Sequence, residues 1–218
     1  MMAKSITDER ILELLDDFGY EVLDENDENP EYWAESFVQY FEEEVSYNAC
    51  EISYGATRMA FIRNNYDYVL KVDLPFCSRY YNQLELKAYE DAETYGVQKI
   101  LLPVKRVHTF DDGRSVIRQP RHQFELRFEP KDHRQSVENK TMWSAKRPRA
   151  DILREEMPQY YRINPTWWAR AYQIYGKRFM RLLIDWASEN GVTDLHGANV
   201  GYYKNKPCIF DYAGYFEI

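Results

Sequence analysis

The chain has 218 residues, 44% of them hydrophobic and 16% aromatic, enough to bury a core as one domain or two small lobes in which large rings carry much of the packing. No run approaches the roughly eighteen apolar residues a membrane-spanning helix needs, and the first twenty residues hold no signal-like apolar stretch, so neither a span nor a secretory leader is expected. The formal net charge is −8, and the three cysteines (Cys50, Cys77, Cys208) have neither even number nor metal-type spacing, which points away from a disulfide framework and toward a reducing, cytoplasmic compartment.

Residues 1–45 hold fifteen acids against Lys4 and Arg10, so the chain opens on a strongly acidic segment. Thr7 or Ser5 is placed to cap a first helix in which Ile11, Leu14, Leu15 and Phe18 recur at helical spacing, with Gly19 near its end. After the polar break at 24–29, Pro30 suits the first turn of a second helix with Trp33, Phe37, Tyr40 and Phe41 on one face. From Cys50 the period changes to two. CEISYGATRMAFI and DYVLKVDL predict two strands joined by the turn RNNYD, followed by a helix over 78–96 that ends at Gly96. ILLPVKRVHTF and RSVIRQP predict another hairpin around Asp111-Asp112-Gly113. Together these make a small sheet with one helix packed on it.

Residues 129–165 are polar and contain Pro130, Pro148, Pro158 and Pro165, and predict a long loop with a short helix near 150–156. Within it, 131–149 carries six Lys/Arg against two acids. This basic stretch can pair with the acidic head, within one molecule or between copies, or meet phosphate. No nucleic-acid-binding motif accompanies it, so nucleic acid is not the expected partner. The strongest helix follows over 166–189, with an apolar stripe of Trp168, Ala171, Tyr175, Phe179, Leu182 and Trp186. The Trp167/Trp168 pair reads as core rather than as a stacking platform for bases. A loop and the hairpin VGYY-KNK-PCIF come next.

The chemistry-bearing residues crowd into 191–218. Asp194 and Asn199 lie five residues apart around a glycine-containing loop, and Asp211 follows twelve residues later, after the run Pro207-Cys208-Ile209-Phe210. A hairpin between Asn199 and Asp211 brings both side chains to one end of its two strands. An amide oxygen and a carboxylate converging there are the hard ligands that Mg2+ takes while it keeps phosphates in its shell. Asp194 is placed to accept a proton from an attacking hydroxyl. His196 reads as a turn-stabilising hydrogen-bond partner.

Asp194-Leu-His-Gly-Ala-Asn199 resembles the catalytic loop of the protein-kinase-like superfamily, in the form seen in aminoglycoside and choline kinases. Ile209-Phe-Asp211-Tyr-Ala-Gly214 resembles its metal-binding Asp-Phe-Gly segment. Tyr68-Val69-Leu70-Lys71-Val72 is similar to the strand that carries the phosphate-pairing lysine. Ser53-Tyr54-Gly55-Ala56-Thr57-Arg58 precedes it at the distance of the phosphate-covering loop, and Glu85 lies on the next helix, where the family places the glutamate that pairs the lysine. Glu90 competes with Glu85: five residues on, it points about 140° around the helix, so only one of them can face Lys71.

The resemblance spans 50–214 and implies an α+β, two-lobed protein-kinase-like fold. The acidic helices (1–45) precede an antiparallel-sheet N-lobe with one packed helix (46–122). A reduced, mainly helical C-lobe (123–218) carries the 129–165 insertion, the long helix and the catalytic-loop hairpin. It implies an ATP- and Mg2+-dependent phosphotransferase. In it Lys71 holds the non-transferred phosphates with Gly55 and Arg58 near them, Glu85 holds Lys71, Asn199 and Asp211 carry the metal, and Asp194 orients the nucleophile. The adenine-facing connection falls near 120–123. The pattern also departs from the family. The presumed phosphate loop has the single glycine Gly55, and Val192 and Thr193 replace the histidine and arginine of typical protein kinases, which points away from control by activation-loop phosphorylation. The sequence stops at Ile218, so the peptide-docking helices are expected to be missing, in the manner of compact kinase-like proteins encoded by bacteriophages, and a bacterial host cytoplasm is the expected setting. The expected acceptor is therefore a small molecule or an atypical protein site. Two further readings stay open: a kinase-shaped module that binds a host protein without transfer, and transfer of AMP instead of phosphate.

Overall fold

The computed structural model describes residues 6–19, 29–45, 50–124, 165–192 and 199–213. They form an α+β protein with four α-helices, a five-stranded antiparallel sheet and a three-stranded one. The chain divides into two compact units, one of Met1–Leu86 with Val104–Arg121 and one of Lys87–Pro103 with His122–Ile218. The acidic helices thus group with the large sheet. The sequence reading keeps 46–122 together, whereas this division falls inside a helix and groups 87–103 with the second unit.

In the first unit, α1 (Asp8–Phe18) is capped by the Thr7 hydroxyl, which accepts from Arg10 N, and ends at Gly19. Helix α2 (Pro30–Glu44) starts with proline in its first turn, and its cap is Asn29, whose side chain accepts from Glu31 N. The run 50–62, read as one strand, is two: β1 (Glu51–Tyr54) and β2 (Arg58–Ile62) pair antiparallel around a tight turn at 55–57. The alternation carries past Gly55 to Ala56 and changes phase at Thr57-Arg58, a break of one residue that by itself does not show that the strand doubles back. Strand β3 (Tyr68–Asp73) follows, then α3 (Tyr81–Thr94), β4 (Lys105–Thr109) and β5 (Ser115–Pro120). The sheet order is β1-β2-β3-β5-β4.

One face of this sheet is apolar. Met59 and Phe61 of β2, Leu70 and Val72 of β3, and Val116 of β5 pack with Ile11, Leu14, Leu15 and Phe18 of α1 and Trp33, Ala34, Phe37 and Phe41 of α2. Trp33 stacks on Phe37 at 5.4 Å and meets the edge of Phe18 at 5.3 Å, and Phe37 meets Phe61 edge-on at 6.0 Å. Arg63, fully buried, pins α1 to the β2–β3 turn. Its guanidinium pairs with Asp8 at 2.5 Å, donates to Ile6 O at 3.2 Å and lies 3.7 Å over the Tyr66 ring. The acidic helices are therefore core-forming on their apolar faces, and Asp8 turns one of their charges inward to meet Arg63.

In the second unit, 100–102 belongs to no strand of the large sheet, against the expectation from the run ILLPVKRVHTF. Leu101 bridges in parallel to Ile209, and Leu102 N donates to Ile209 O at 2.7 Å. Pro103, which has no N–H to lend to a ladder, separates this stretch from β4. Helix α4 (Pro165–Glu189) is interrupted at Gly176, whose φ of 81° and ψ of 163° only glycine adopts without strain. Its fully buried residues include Trp167, Leu183 and Trp186, with Trp168 and Leu182 only partly covered. Neighbouring positions lie about 100° apart on a helix, too close for the periodicity to choose between them. Strand β6 (Gln123–Phe124) pairs with β7 (Val200–Tyr203), which pairs with β8 (Lys206–Ile209). The two-residue turn Lys204-Asn205 has left-handed φ of 50° and 61°, the twist that favours a tight hairpin. Of the loop expected over 129–165, Pro165 opens α4, and the rest, with the expected short helix near 150–156, lies outside the described residues.

Candidate functional site

Lys71 lies between Leu70 and Val72, whose side chains belong to the apolar core; alternation turns Lys71 to the opposite face of the sheet. Helix α3 meets it there. Lys71 Nζ is 3.6 Å from Glu85 Oε1, with the carboxylate fully buried and the lysine side chain 12% exposed. Glu90 is exposed on another face of the helix, so Glu85 is the residue that pairs. Its Oε1 also accepts from Gln119 Nε2 at 3.0 Å. Its Oε2 is held by Arg58 Nη1 in a close ion pair.

These charges shape one another. Burial pushes Lys71 down to about 8; Glu85 opposes that shift and the nearby Arg58 adds to it. Burial alone would raise the Glu85 carboxyl, but Lys71, Arg58 and the hydrogen bonds from Arg58 and Gln119 outweigh it and hold the group below its ordinary range. Glu85 is thus an anion kept inside the unit by two cations.

The position of α3 is set by polar residues that no motif marks. Asp73, two residues along β3 and buried, accepts from Asn82 N at 2.8 Å, which caps the first turn of α3. The same carboxylate accepts from Ser115 N and Oγ, each at 3.2 Å. Asn82 Nδ2 donates to Lys71 O at 2.9 Å and to Ser115 O at 2.7 Å, tying the helix to β3 and β5 together. Burial lifts the Asp73 carboxyl above its ordinary range against these hydrogen bonds. A signal for this set was present: Lys71 and Asp73 on β3, then Ser115 and Gln119 on β5, are polar at even spacing, on one face of each strand. Gly55, in the β1–β2 turn, donates its N–H to Arg58 O at 3.0 Å, and a Cβ added there would meet nothing within 4 Å.

In the second unit the β7–β8 hairpin brings Asn199 and Asp211 to the same end, as the spacing predicts. Phe210 N donates to Asn199 O at 3.0 Å, and Asn199 Nδ2 lies 3.5 Å from Asp211 O. Asn199 is 5% exposed. Asp211 sits at a φ of 57°, a left-handed conformation that costs a non-glycine residue about 1 kcal/mol or more and that tends to mark functional positions. The neighbouring residues hold this backbone in place. The His122 ring lies 3.7 Å from the Phe210 ring, and Tyr212, fully buried, donates its hydroxyl to Leu102 O at 2.8 Å. Among the described residues no three His, Cys, Asp or Glu side chains cluster as a metal site. The Asn199–Asp211 pair nevertheless fits Mg2+ by its donor chemistry, because that ion keeps waters and phosphates and needs few protein oxygens. Asp194, His196 and Gly214 lie outside the described residues.

Compared with known proteins, the chain matches no family model, no curated protein and no solved structure. Among the described residues no helix is long and apolar enough to cross a membrane.

Proposed function

We propose that this protein is an ATP- and Mg2+-dependent phosphotransferase with a two-lobed, protein-kinase-like fold, acting in the cytoplasm on a small molecule or an atypical protein acceptor. The observation that carries the reading is the ion pair between Lys71 on β3 and buried Glu85 on α3. A helix between the third and fourth strands of a five-stranded antiparallel sheet supports it. On this reading Lys71, steadied by Glu85, binds the non-transferred phosphates. The open space above Gly55 leaves room for close approach of a phosphate to backbone. Asn199 and Asp211 hold Mg2+, which when bound neutralises phosphate charge, and Asp194 accepts the proton of the acceptor hydroxyl. Such chemistry asks the protein for positioning and charge neutralisation rather than for covalent catalysis.

The test is transfer of label from γ-labelled ATP by the wild type, Asp194→Ala and Asp211→Asn, each checked for folding by circular dichroism. Both variants are expected to lose transfer by about a thousandfold or more; transfer that survives both substitutions rules the assignment out. A second reading, a kinase-shaped module engaging a host protein, draws on the single glycine of the β1–β2 turn and on Arg58 already engaging Glu85. It expects no thermal stabilisation by millimolar ATP with Mg2+, whereas a ligand at a hundred times its Kd stabilises by about 2.7 kcal/mol. Label retained from the α-phosphate instead of the γ-phosphate would identify AMP transfer.

A further inference from the structure

Surface charge in the first unit is sorted rather than mixed. Helices α1 and α2 contain one cation, Arg10, which pairs with Glu13 and Glu44 at 3.3 Å each. Glu9, Asp16, Glu35 and Glu42 stand exposed on the outer faces of these helices and enter no ion pair among the described residues. Exposed cations gather instead on β4 and β5. Lys105 and Arg118 are direct cross-strand partners, both exposed, with Arg106 and Arg121 exposed beside them in the chain. None of these four joins an ion pair, whereas Arg10, Arg58, Arg63, Lys71 and Arg114 of the same unit all do.

Like charges directly opposite each other on neighbouring strands destabilise a sheet. Lysine on an edge strand has an ordinary use, to discourage unwanted pairing, and that accounts for Lys105. It does not account for Arg118. Strand β5 is interior, between β3 and β4, and needs no such protection. The Arg118 guanidinium lies 5.5 Å from the centre of the Tyr68 ring, which steadies the side chain and supplies no anion. We propose that two copies of this chain pair reciprocally, the acidic outer face of α1 and α2 in each covering the Lys105–Arg118 pair of the other.

The register puts both halves of this contact on one side of the unit. Leu70 and Arg118 are cross-strand partners, so their side chains share a face, and Leu70 belongs to the core that α1 and α2 cover. The helices and the cation pair therefore lie on the same side of the sheet, and each copy offers both at once. A contact built from the same two patches on each copy closes at two and does not grow into a fibre. A long polyanion fits this surface less well, because from Lys105 and Arg118 it would run past the carboxylates of the helices on that side. Another copy brings carboxylates to the cations and cations to the carboxylates. The pairing does not depend on the phosphotransferase reading.

The test is sedimentation equilibrium of the full chain at about 0.05 M and about 1 M salt, the second of which shortens the reach of surface charge to about 3 Å. The wild type should have the mass of two chains at low salt and of one at high salt. Lys105→Glu/Arg118→Glu should weaken self-association by about a hundredfold or more, because like charges then face each other. At least one of the helix reversals, Glu35→Lys/Glu42→Lys on α2 or Glu9→Lys/Asp16→Lys on α1, should do the same. The deciding step mixes the Lys105→Glu/Arg118→Glu chain with each helix variant. In such a mixture both contacts regain opposite charges, and the two-chain mass should return with at least one of them. All six positions are exposed, and circular dichroism checks that each variant is folded. Three results overturn the pairing: a wild type of one-chain mass at low salt, a low-salt dimer that Lys105→Glu/Arg118→Glu leaves intact, or mixtures that stay monomeric. If the helix variants fail to fold, the wild type and Lys105→Glu/Arg118→Glu decide between them. A wild type that stays single and binds a single-stranded oligonucleotide through Lys105 and Arg118 would make the partner a polyanion and the pairing wrong.

Discussion

On β2 and β3, Met59, Phe61, Leu70 and Val72 turn toward α1 and α2, while Arg58, Lys71 and Asp73 of the same strands meet α3. The first face is an aromatic and aliphatic core, where energy comes from area removed from water and contacts are interchangeable in kind. The second is a network of buried charges and amides, in which a missing partner is costly. The alternation of a strand therefore lets one sheet keep most of its stability on one side and its chemistry on the other. The acidic helices supply the first side, which leaves the second free to hold groups that destabilise the fold.

The sharpest way to break this division is Trp33→Ala. It removes a ring stacked on Phe37 and lying 5.4 Å from the Arg114 guanidinium, and should cost about 3–5 kcal/mol in urea unfolding. Where the variant is still folded, the pH midpoint of Lys71 acylation, read by mass spectrometry, should not move; a large shift would show that the two faces are not separable.

Lys71 should reveal the cost of the polar face through pH. Its folded pKa is lowered from 10.5 to about 8, so between these values the unfolded chain binds more protons and stability rises with pH. The rise is on the order of 3 kcal/mol, complete by the ordinary lysine pKa, and the penalty is fully present below pH 8. Denaturant titrations at pH 7.5 and 9.5 should show this upward difference in the wild type and not in Lys71→Met. Equal slopes in the two proteins would mean that Lys71 is not desolvated.

Next in size, Asp73→Asn exchanges an acceptor-only group for one that presents an N–H to Ser115 or Asn82. It should cost about 1–3 kcal/mol, with faster hydrogen exchange in the first turn of α3 but not in α2. Smallest is Gly55→Ala, which adds a methyl into open space at an ordinary backbone angle and should change stability by less than about 1 kcal/mol. The same methyl should reduce stabilisation by ATP with Mg2+; undiminished stabilisation would place the phosphates elsewhere.

How much could be read in advance follows from the range of each interaction. Thr7 and Gly19 bound α1, Pro30 opens α2, and Lys204-Asn205 closes the β7–β8 hairpin because capping and turn chemistry act within a few residues. The convergence of Asn199 and Asp211 was legible for the same reason, since one hairpin joins them. Asp73, Asn82, Ser115 and Gln119 were missed, although they fix α3, because each finds its partner 9 to 42 residues away. The split of 50–62 and the break at Gly176 were missed because periodicity records which side a residue faces, not where the backbone reverses.

By itself the sequence determined most helix boundaries, the β7–β8 hairpin and the residue types able to meet phosphate and metal. Tertiary structure alone decided that Glu85, not Glu90, takes Lys71, that Arg58 shares that carboxylate, and that the acidic helices cover the far side of the sheet. Periodicity and capping are encoded among neighbours, whereas the partner of a buried charge is chosen by which distant side chain the fold brings within a few ångströms of it.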